Sequence, residues 1–257
     1  MIAQDLALAL DPALLAERVG LALDPWQADV LRSTEQQVIL NISRQAGKST
    51  VTSLLGLHTA LYQGPALVLL LAPALRQAQE LYRKVRDAYF ALGQPVPTVE
   101  ESALRMELAN GSRIVALPGK EATIRGYSGA ALLLVDEASR VPDDLYQAVR
   151  PMLAVSGGRI VLLSTPWGKR GFFFEEWVSG IGWERVRITA EQCPRIPDDW
   201  LVRERLSLPP HVFNSEYMCE FGETLDSVFS HADIQAAFDP EVKPLFGGPL
   251  FPARASA

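Results

Sequence analysis

Residues 41–50, NISRQAGKST, match most of the phosphate-binding pattern Gly-x-x-x-x-Gly-Lys-Ser/Thr, with Ile42 in place of the first glycine. In such a loop, backbone N–H groups at a helix start hold phosphates and the lysine neutralises the β- and γ-phosphates. The hydroxyl after the lysine, here Ser49, binds Mg²⁺. The loop residues predicted to contact a nucleoside triphosphate are Gln45, Ala46, Gly47, Lys48, Ser49 and Thr50.

An acidic pair, Asp136 and Glu137, ends the apolar run in LLLVDEAS. An aspartate at that point completes a Mg²⁺ shell directly or through a water, and the glutamate after it can orient and deprotonate an attacking water. Acidic pairs also commonly cap the next helix. The phosphate loop upstream favours the chemical interpretation, so we predict Asp136 as a metal ligand and Glu137 as the general base.

Two weaker signals accompany these motifs. Ser164-Thr165-Pro166 follows another apolar run, and its hydroxyls could bond the γ-phosphate or the acidic pair and so couple hydrolysis to movement. The same tripeptide is also a good strand-ending turn. Gln27, in DPWQADVL, carries an amide whose donor and acceptor match the edge of adenine, although a surface position on a helix explains it equally well.

The hydrophobic pattern predicts an α/β fold with a mainly parallel sheet flanked by helices, since near-continuous apolar strands alternate with amphipathic helices. A hairpin is expected around Asn110-Gly111. The three motif-bearing loops all follow strands, and ligands of such sheets gather at strand carboxyl ends. The predicted strands cover 37–43, 66–73, 131–139 and 159–166, and the predicted helices cover 49–62, 74–92 and 143–153.

The length of 257 residues, with 48% apolar and 21% charged residues, is typical of a globular protein of one large domain with an appendage. We predict a core over 1–170, a small C-terminal helical lid over 171–225, and a Pro- and Gly-containing linker over 226–257. Two cysteines and three histidines, all scattered, give no metal-ligand spacing. Apolar runs are short and the amino terminus lacks a secretion signal, so a cytoplasmic protein is expected.

The formal net charge of −6 excludes a surface that is basic throughout, as a protein coated with nucleic acid would require. Any contact with DNA is therefore expected to use a local patch, or patches that several copies of the chain combine. The candidates are Arg83-Lys84-Arg86, Lys169-Arg170 and Arg185/Arg187, and each is also explained as an ordinary solvated face.

Taken together, the motifs resemble the ATPase domain of the large terminase subunit of tailed bacteriophages. The resemblance covers roughly residues 20 to 225, and SRQAGKST is its most specific part. It implies a P-loop NTPase of the RecA-like (ASCE) type. The matching segments are Pro25-Trp26-Gln27, Ser43 to Thr50, Arg125-Gly126, Leu134 to Ala138 and Ser164-Thr165-Pro166.

The resemblance implies that ATP hydrolysis with Mg²⁺ drives double-stranded viral DNA into a procapsid in the cytoplasm of the infected bacterium. It implies partners: the portal protein, the procapsid, the small terminase subunit and further copies in a ring. The acidic charge and the weak basic patches favour a monomer in isolation. Arg44 would contact ATP phosphates within its own subunit, and Arg125 would reach the neighbouring subunit's site, unless it is an exposed loop charge. The family's nuclease domain follows the ATPase, so DNA cleavage is not expected here.

Two alternatives stay open on the sequence. A two-lobed helicase-like ATPase shares similar motifs, but only about ninety residues follow Pro166, and a second lobe needs roughly 100–200. A nucleotide-binding scaffold without hydrolysis would be expected to carry a defective acidic pair, whereas Glu137 is present.

Overall fold

The computed structural model describes residues 2–119 and 126–222. Arg125 and the predicted linker over 226–257 lie outside these residues. The helices are α1 (Ile2–Leu10), α2 (Ala13–Arg18), α3 (Pro25–Arg32), α4 (Lys48–Tyr62), α5 (Leu75–Ala91), α6 (Asp143–Val149), α7 (Gly171–Val178), α8 (Asp198–Ser207) and α9 (Pro210–Glu216). The strands are β1 (Gln37–Ile42), β2 (Leu67–Ala72), β3 (Thr98–Glu101), β4 (Arg105–Leu108), β5 (Arg113–Pro118), β6 (Ala130–Asp136), β7 (Arg159–Ser164) and β8 (Glu184–Ile188).

The described strands form one eight-stranded sheet in the order β3-β4-β5-β2-β6-β7-β1-β8. Strands β5, β2, β6, β7, β1 and β8 pair in parallel, each with its neighbour in this order. Strand β4 pairs antiparallel with both β3 and β5. The structure thus confirms the predicted α/β fold with a mainly parallel sheet. It also confirms the hairpin, in which Gly111 takes the positive φ of 81° that the turn needs.

The central strands are buried on both faces, as their apolar runs predict. In β1, Val38, Leu40 and Ile42 face one core, while Ile39 between them faces the other. The first core lies beneath α2 to α5 and the second beneath α6 and α7. Helices on both sides therefore shield the sheet from water and leave its strand ends as the accessible edges.

The helices next to the motifs begin and end close to their predicted bounds. Helix α5 buries Ala78, Leu81, Tyr82 and Val85, one apolar face at helical spacing. The helix predicted over 143–153 is divided, because α6 ends at Val149 and a 3₁₀ turn continues to Leu153. Pro151 explains the change, since it has no N–H for an α-helical hydrogen bond.

The segment predicted as a helical lid is joined to the main sheet. Strand β8 pairs in parallel with β1, and the residues up to Gly222 form one compact unit, so packing does not divide at residue 170. Helices α8 and α9 nevertheless share a small core of their own, built from Ala190, Leu201, Phe213 and Tyr217. The boundary of a moving lid stays a prediction.

The two arginines of one predicted basic patch, Arg185 and Arg187, make hydrogen bonds to backbone carbonyls of the chain itself. The Arg185 guanidinium donates to four backbone oxygens around the end of α7, those of Glu176, Trp177, Gly180 and Trp183, over 2.6–3.2 Å. Such bonds satisfy carbonyl groups that a helix end leaves without partners. Arg187 donates to the Met218 carbonyl over 2.7 Å. Among the described residues, no helix is long and apolar enough to cross a membrane.

We expect Arg185→Ala to lower the free energy of unfolding by about 0.5–1.5 kcal/mol, because the end of α7 loses several hydrogen bonds that water only partly replaces at this exposed position. Urea denaturation followed by tryptophan fluorescence measures the loss. The matched control is Arg203→Ala on α8, whose side chain is 69% exposed and pairs with Asp199 across one turn. Equal stability of the two variants would return Arg185 to the role of a solvated surface charge.

Candidate active site

The three predicted motifs meet at the carboxyl edge of the sheet. Strand β7 lies between β1 and β6, with Asn41 paired to Ser164 and Asp136 paired to Leu163. The phosphate loop (residues 43–50), the acidic pair (Asp136 and Glu137) and the Ser-Thr-Pro segment (164–166) therefore follow three adjacent strands. This edge is where ligands of parallel α/β sheets bind.

Backbone hydrogen bonds and two left-handed residues shape the phosphate loop. The Ser43 N–H donates to the Ile188 carbonyl and the Arg44 N–H to the Glu216 carbonyl, each over 2.9 Å. Gln45 and Gly47 have φ of 63° and 86°. A Cβ at Gly47 would lie 2.9 Å from the Gln27 amide nitrogen and would displace that amide from the Ala46 carbonyl, while the left-handed φ itself favours glycine.

The Ala46 carbonyl is held from two sides. Gln27 Nε2 donates to it over 3.1 Å and Arg195 Nη2 over 2.8 Å. Gln27 Oε1 also accepts the Asp24 N–H over 2.9 Å, within a capping box at the start of α3. Gln27 is buried, and the structure gives its amide a place in supporting the loop. The second N–H of the Gln27 amide makes no such bond to the loop. Its contact with adenine stays a prediction.

Arg195 is a site residue that the sequence did not reveal. Its guanidinium pairs with the Asp24 carboxylate at 2.8 Å while it donates to the Ala46 carbonyl. It lies 149 residues from that carbonyl in the chain, and nothing in its local sequence marks the contact. The segment after β8 therefore takes part in positioning the phosphate loop.

Lys48 and Glu137 face each other at the centre of this edge. The Lys48 side chain is only 9% exposed, and its Nζ lies 3.9 Å from Glu137 Oε1. Glu137 has a left-handed φ of 49° and ψ of 43°, uncommon for a residue other than glycine. Its N–H donates to Asp136 Oδ1 over 2.9 Å. The turn thus directs both acidic side chains to the edge that holds Lys48.

The Glu137 carboxyl has a raised pKa. Burial is the largest cause, and the neighbouring Lys48 partly opposes it by favouring the ionised form. Asp136 and Glu216 raise the pKa and Arg140 lowers it. A carboxylate in this setting is a stronger proton acceptor than an ordinary glutamate, which suits the predicted general base.

Ser49 and Asp136 form a donor set suited to Mg²⁺. Ser49 lies in the first turn of α4 and Asp136 ends β6, a buried carboxylate at the same edge. Mg²⁺ is commonly held by one or two protein oxygens, with water and substrate phosphates completing its shell. Within residues 2–119 and 126–222, no group of three or more His, Cys, Asp or Glu forms a self-sufficient metal site.

Arg44 takes part in a series of alternating charges. Its Nε lies 3.9 Å from Glu216 Oε2, and Glu216 Oε1 lies 3.5 Å from Arg140 Nη2. Arg140 Nε lies 3.8 Å from Glu137 Oε2, and its guanidinium covers the Trp167 ring at 3.9 Å. The Arg44 side chain itself is 62% exposed, beside the loop rather than in the core. Its approach to phosphate stays a prediction.

The Ser-Thr-Pro segment is linked to the loop that follows the acidic pair. The Ser139 and Ser164 hydroxyls lie 2.7 Å apart, and the Ser139 hydroxyl donates to the Thr165 carbonyl over 2.8 Å. The Pro166 carbonyl accepts the Ser215 hydroxyl of α9 over 2.7 Å. The segment therefore connects the acidic pair with the C-terminal helices. Ser139 is a further residue that the sequence did not single out.

A mainly parallel sheet with this loop at its carboxyl edge and an acidic pair at the end of a neighbouring strand defines the P-loop NTPase class. The family model "Terminase large subunit, T4likevirus-type, N-terminal" matches residues 39–236. The chain belongs to this terminase large subunit family.

Relatives support the same assignment. The chain is 26% identical over 244 residues to the large terminase subunit of Thermus phage G20c, and 25% identical over 244 residues to that of Thermus virus P23-45. Each match covers 81% of this chain and 50% of the relative. The chain thus spans about half the length of the curated relatives it matches.

Solved structures share the fold. The large terminase ATPase domain of Thermus phage P74-26 superposes with a TM-score of 0.73 at 21% identity, covering 80% of this chain and 97% of that domain. The large terminase of another thermophilic bacteriophage, in complex with ADP, gives a TM-score of 0.64 at 12% identity, covering 77% of this chain and 54% of that chain.

We expect the Glu137 carboxyl to titrate above the ordinary glutamate range in the nucleotide-free protein, since burial disfavours the charged form. Lys48→Met should raise the pKa further, because it removes the cation that favours ionisation. Carboxyl ¹³C NMR against pH measures both values. An ordinary midpoint in the wild type, unchanged by Lys48→Met, would contradict the contact between Lys48 and Glu137.

Proposed function

We propose that this chain is the ATPase domain of a viral DNA-packaging motor and that it hydrolyses ATP at the carboxyl edge of its sheet. The observation that carries the proposal is the approach of the buried Lys48 ammonium to the partly buried Glu137 carboxylate at 3.9 Å, beside the phosphate loop. Membership of the terminase large subunit family supports it. So does the likeness of the fold to large terminases in complex with ADP and with ATP-γ-S.

Binding of ATP would use the start of α4 and two cations. Backbone N–H groups of residues 46–49 would hold phosphate oxygens, because the first N–H groups of a helix lack partners within it. Lys48 and Arg44 would exchange their carboxylate partners, Glu137 and Glu216, for phosphate oxygens. Gln45 and Thr50, at the two ends of this turn, would complete the phosphate cradle.

Glu137 would supply the chemistry by accepting a proton from the attacking water. Its release from Lys48 leaves the carboxylate free, and its raised pKa makes it a better base. Arg44 would stabilise the charge that develops on the transferring phosphoryl group. Ser49 and Asp136 would hold Mg²⁺, which neutralises phosphate charge when bound.

Motion would pass from the site to the C-terminal helices through the Ser-Thr-Pro segment. Ser164 contacts the loop after the acidic pair, and Pro166 contacts Ser215 of α9. Family membership supports double-stranded DNA, a portal protein, a procapsid and a small terminase subunit as partners, in a ring of copies within the host cytoplasm. Membership of the terminase large subunit family favours this function over that of a helicase-like ATPase. The intact acidic pair argues against a scaffold that does not hydrolyse ATP.

We expect Glu137→Gln to bind ATP but to hydrolyse it at least about a hundredfold more slowly, because the general base is lost. Lys48→Ala should lose nucleotide binding or turnover, because the phosphate charge is no longer neutralised. Phosphate release and equilibrium binding of fluorescent ATP measure the two effects. Glu80→Gln, at an exposed position on α5, is the matched control. Near wild-type hydrolysis in either site variant would refute the assignment.

We propose further that Arg125 acts in a neighbouring subunit's site, as the family resemblance implies. Its flanking glycines, Gly126 and Gly129, have φ of 130° and 68°, conformations that other residues rarely adopt. Arg125→Ala should keep the ATP affinity of the lone domain and lose the hydrolysis that assembly stimulates. An effect of about 10³–10⁵ is typical of an arginine supplied in trans.

The test of this role is to mix Arg125→Ala with an excess of Glu137→Gln under conditions where the wild-type protein assembles. The intact Arg125 of one variant should then serve the intact Glu137 of the other, so activity should partly return. A mixture as inactive as its parts would place Arg125 outside the neighbouring site.

A further inference from the structure

The two oxygens of the Glu137 carboxylate have different cationic neighbours. Lys48 Nζ lies 3.9 Å from Oε1, and Arg140 Nε lies 3.8 Å from Oε2. Lys48 follows the phosphate-loop glycine, and under the proposed function it exchanges Glu137 for phosphate oxygens. Arg140 lies outside that loop, three residues after Glu137 in the chain. The exchange therefore takes a cation away from Oε1 and leaves one beside Oε2.

The backbone after β6 places Arg140 on the same side of the chain as Glu137. Residues Ala138–Arg140 form a single 3₁₀ turn, and the Arg140 N–H donates to the Glu137 carbonyl over 2.8 Å. Side chains three residues apart eclipse one another in a 3₁₀ turn. This turn, rather than a contact between distant segments, thus sets the approach of the guanidinium to the carboxylate.

Two further groups hold the Arg140 guanidinium. It lies over the Trp167 ring, 3.9 Å from the ring centre, which is a cation–π contact. Arg140 Nη2 also donates to Glu216 Oε1 over 3.5 Å. A ring on the face of the guanidinium and carboxylates at its edge fix both its position and its orientation. Arginine is suited to such a place, because its planar group can stack and donate at once.

Glu216 faces two arginines, which have different roles in the proposed function. It is the last residue of α9, its side chain is 13% exposed, and its Oε2 lies 3.9 Å from Arg44 Nε. Under the proposed function Arg44 moves to a phosphate oxygen. Arg140 would then remain the ion-pair partner of this mostly buried carboxylate. Because an unpaired buried carboxylate is costly, Glu216 favours the present position of Arg140.

Stability alone explains these contacts poorly. The Arg140 side chain is 35% exposed, and ion pairs at such exposure contribute little to the free energy of folding. Its ionic and ring contacts nevertheless all lie at the carboxyl edge of the sheet. They join it to the predicted general base, to the residue after the Ser-Thr-Pro segment and to the end of α9. Such convergence on the candidate active site is expected of a residue that serves the reaction.

We propose that Arg140 is a positioning residue for hydrolysis, which holds the Glu137 carboxylate in place after Lys48 has moved to phosphate. Arg140 would keep Oε2, so that Oε1 faces the attacking water. The water oxygen would bond to the γ-phosphorus as its proton passes to Oε1, and the bond from that phosphorus to the β-phosphate oxygen would break. This role rests on the proposed function and deepens it, because it names the group that orients the base.

The test compares Arg140→Gln with the wild type under conditions where the wild type hydrolyses ATP. The single-turnover rate should fall at least about tenfold, since a displacement of about 1 Å in a reacting group can cost about a hundredfold. The affinity for fluorescent ATP should not change, because Arg140 lies outside the phosphate loop. Arg203→Gln, at an exposed position on α8, is the matched control and should leave both quantities unchanged.

Conservative variants separate positioning from charge and from folding. Arg140→Lys keeps the positive charge but not the planar group, so it should recover only part of the rate. Trp167→Phe keeps a ring face for the guanidinium and should turn over faster than Trp167→Ala. Urea denaturation should give Arg140→Gln nearly the same free energy of unfolding as Arg203→Gln, because partly exposed ion pairs contribute little to stability.

Three results would overturn the role of Arg140. The first is an Arg140→Gln rate equal to that of the wild type. The second is a loss of ATP affinity that accounts for the loss of rate, which would place Arg140 in binding. The third is full activity of both Arg140→Lys and Trp167→Ala, which would leave no need for a fixed guanidinium. Each result leaves the roles of Lys48 and Glu137 intact, whereas near wild-type hydrolysis in Glu137→Gln would refute the proposed function itself and this role with it.

Discussion

The approach of the buried Lys48 ammonium to the partly buried Glu137 carboxylate is the interaction on which the rest of this edge depends. A lysine in such a position needs a negative partner, and a glutamate there needs a positive one, because an unpaired buried charge is costly. In the structure Lys48 Nζ lies 3.9 Å from Glu137 Oε1, so each side chain is the other's partner. The same requirement makes the pair receptive to a ligand, since phosphate oxygens can replace the carboxylate that Lys48 now faces.

Holding the two side chains together requires a rigid frame around them. The strand order places β7 between β1 and β6, so the loops after all three strands share one edge. The Ala46 carbonyl, just before Gly47 and Lys48, is fixed by donors from Gln27 and Arg195. The left-handed backbone conformation of Glu137 directs the Glu137 carboxylate toward Lys48. Several weak constraints thus position one polar contact, as preorganised sites require.

The C-terminal part of the described chain is built into this frame. Arg195 supports the phosphate loop, Glu216 contacts both Arg44 and Arg140, and Ser215 bonds the Pro166 carbonyl. The segment predicted as a separate lid therefore supplies contacts to the candidate active site.

The sequence predicts the features that local pattern determines. Strands such as β2 and β6, the hairpin at Gly111 and the three motif-bearing loops follow from apolar runs and turn residues, which act over short distances. Contacts that join distant segments, among them those of Arg195 and Glu216, leave no such local signal. The sequence makes Arg185 a candidate for binding DNA, but in the structure its guanidinium donates to backbone carbonyls around the end of α7. The hydrogen-bond partners of a side chain depend on tertiary packing, which composition does not encode.

Backbone amide NMR of the full chain during titration with Mg²⁺ and ATP-γ-S tests the central claim most directly. The account predicts saturable shifts concentrated at residues 46–50, at Glu137 and at Ser164, with Arg159 at the opposite edge unaffected. Saturable shifts centred on another surface, or no saturable shift at the phosphate loop, would contradict a nucleotide site at the carboxyl edge of the sheet.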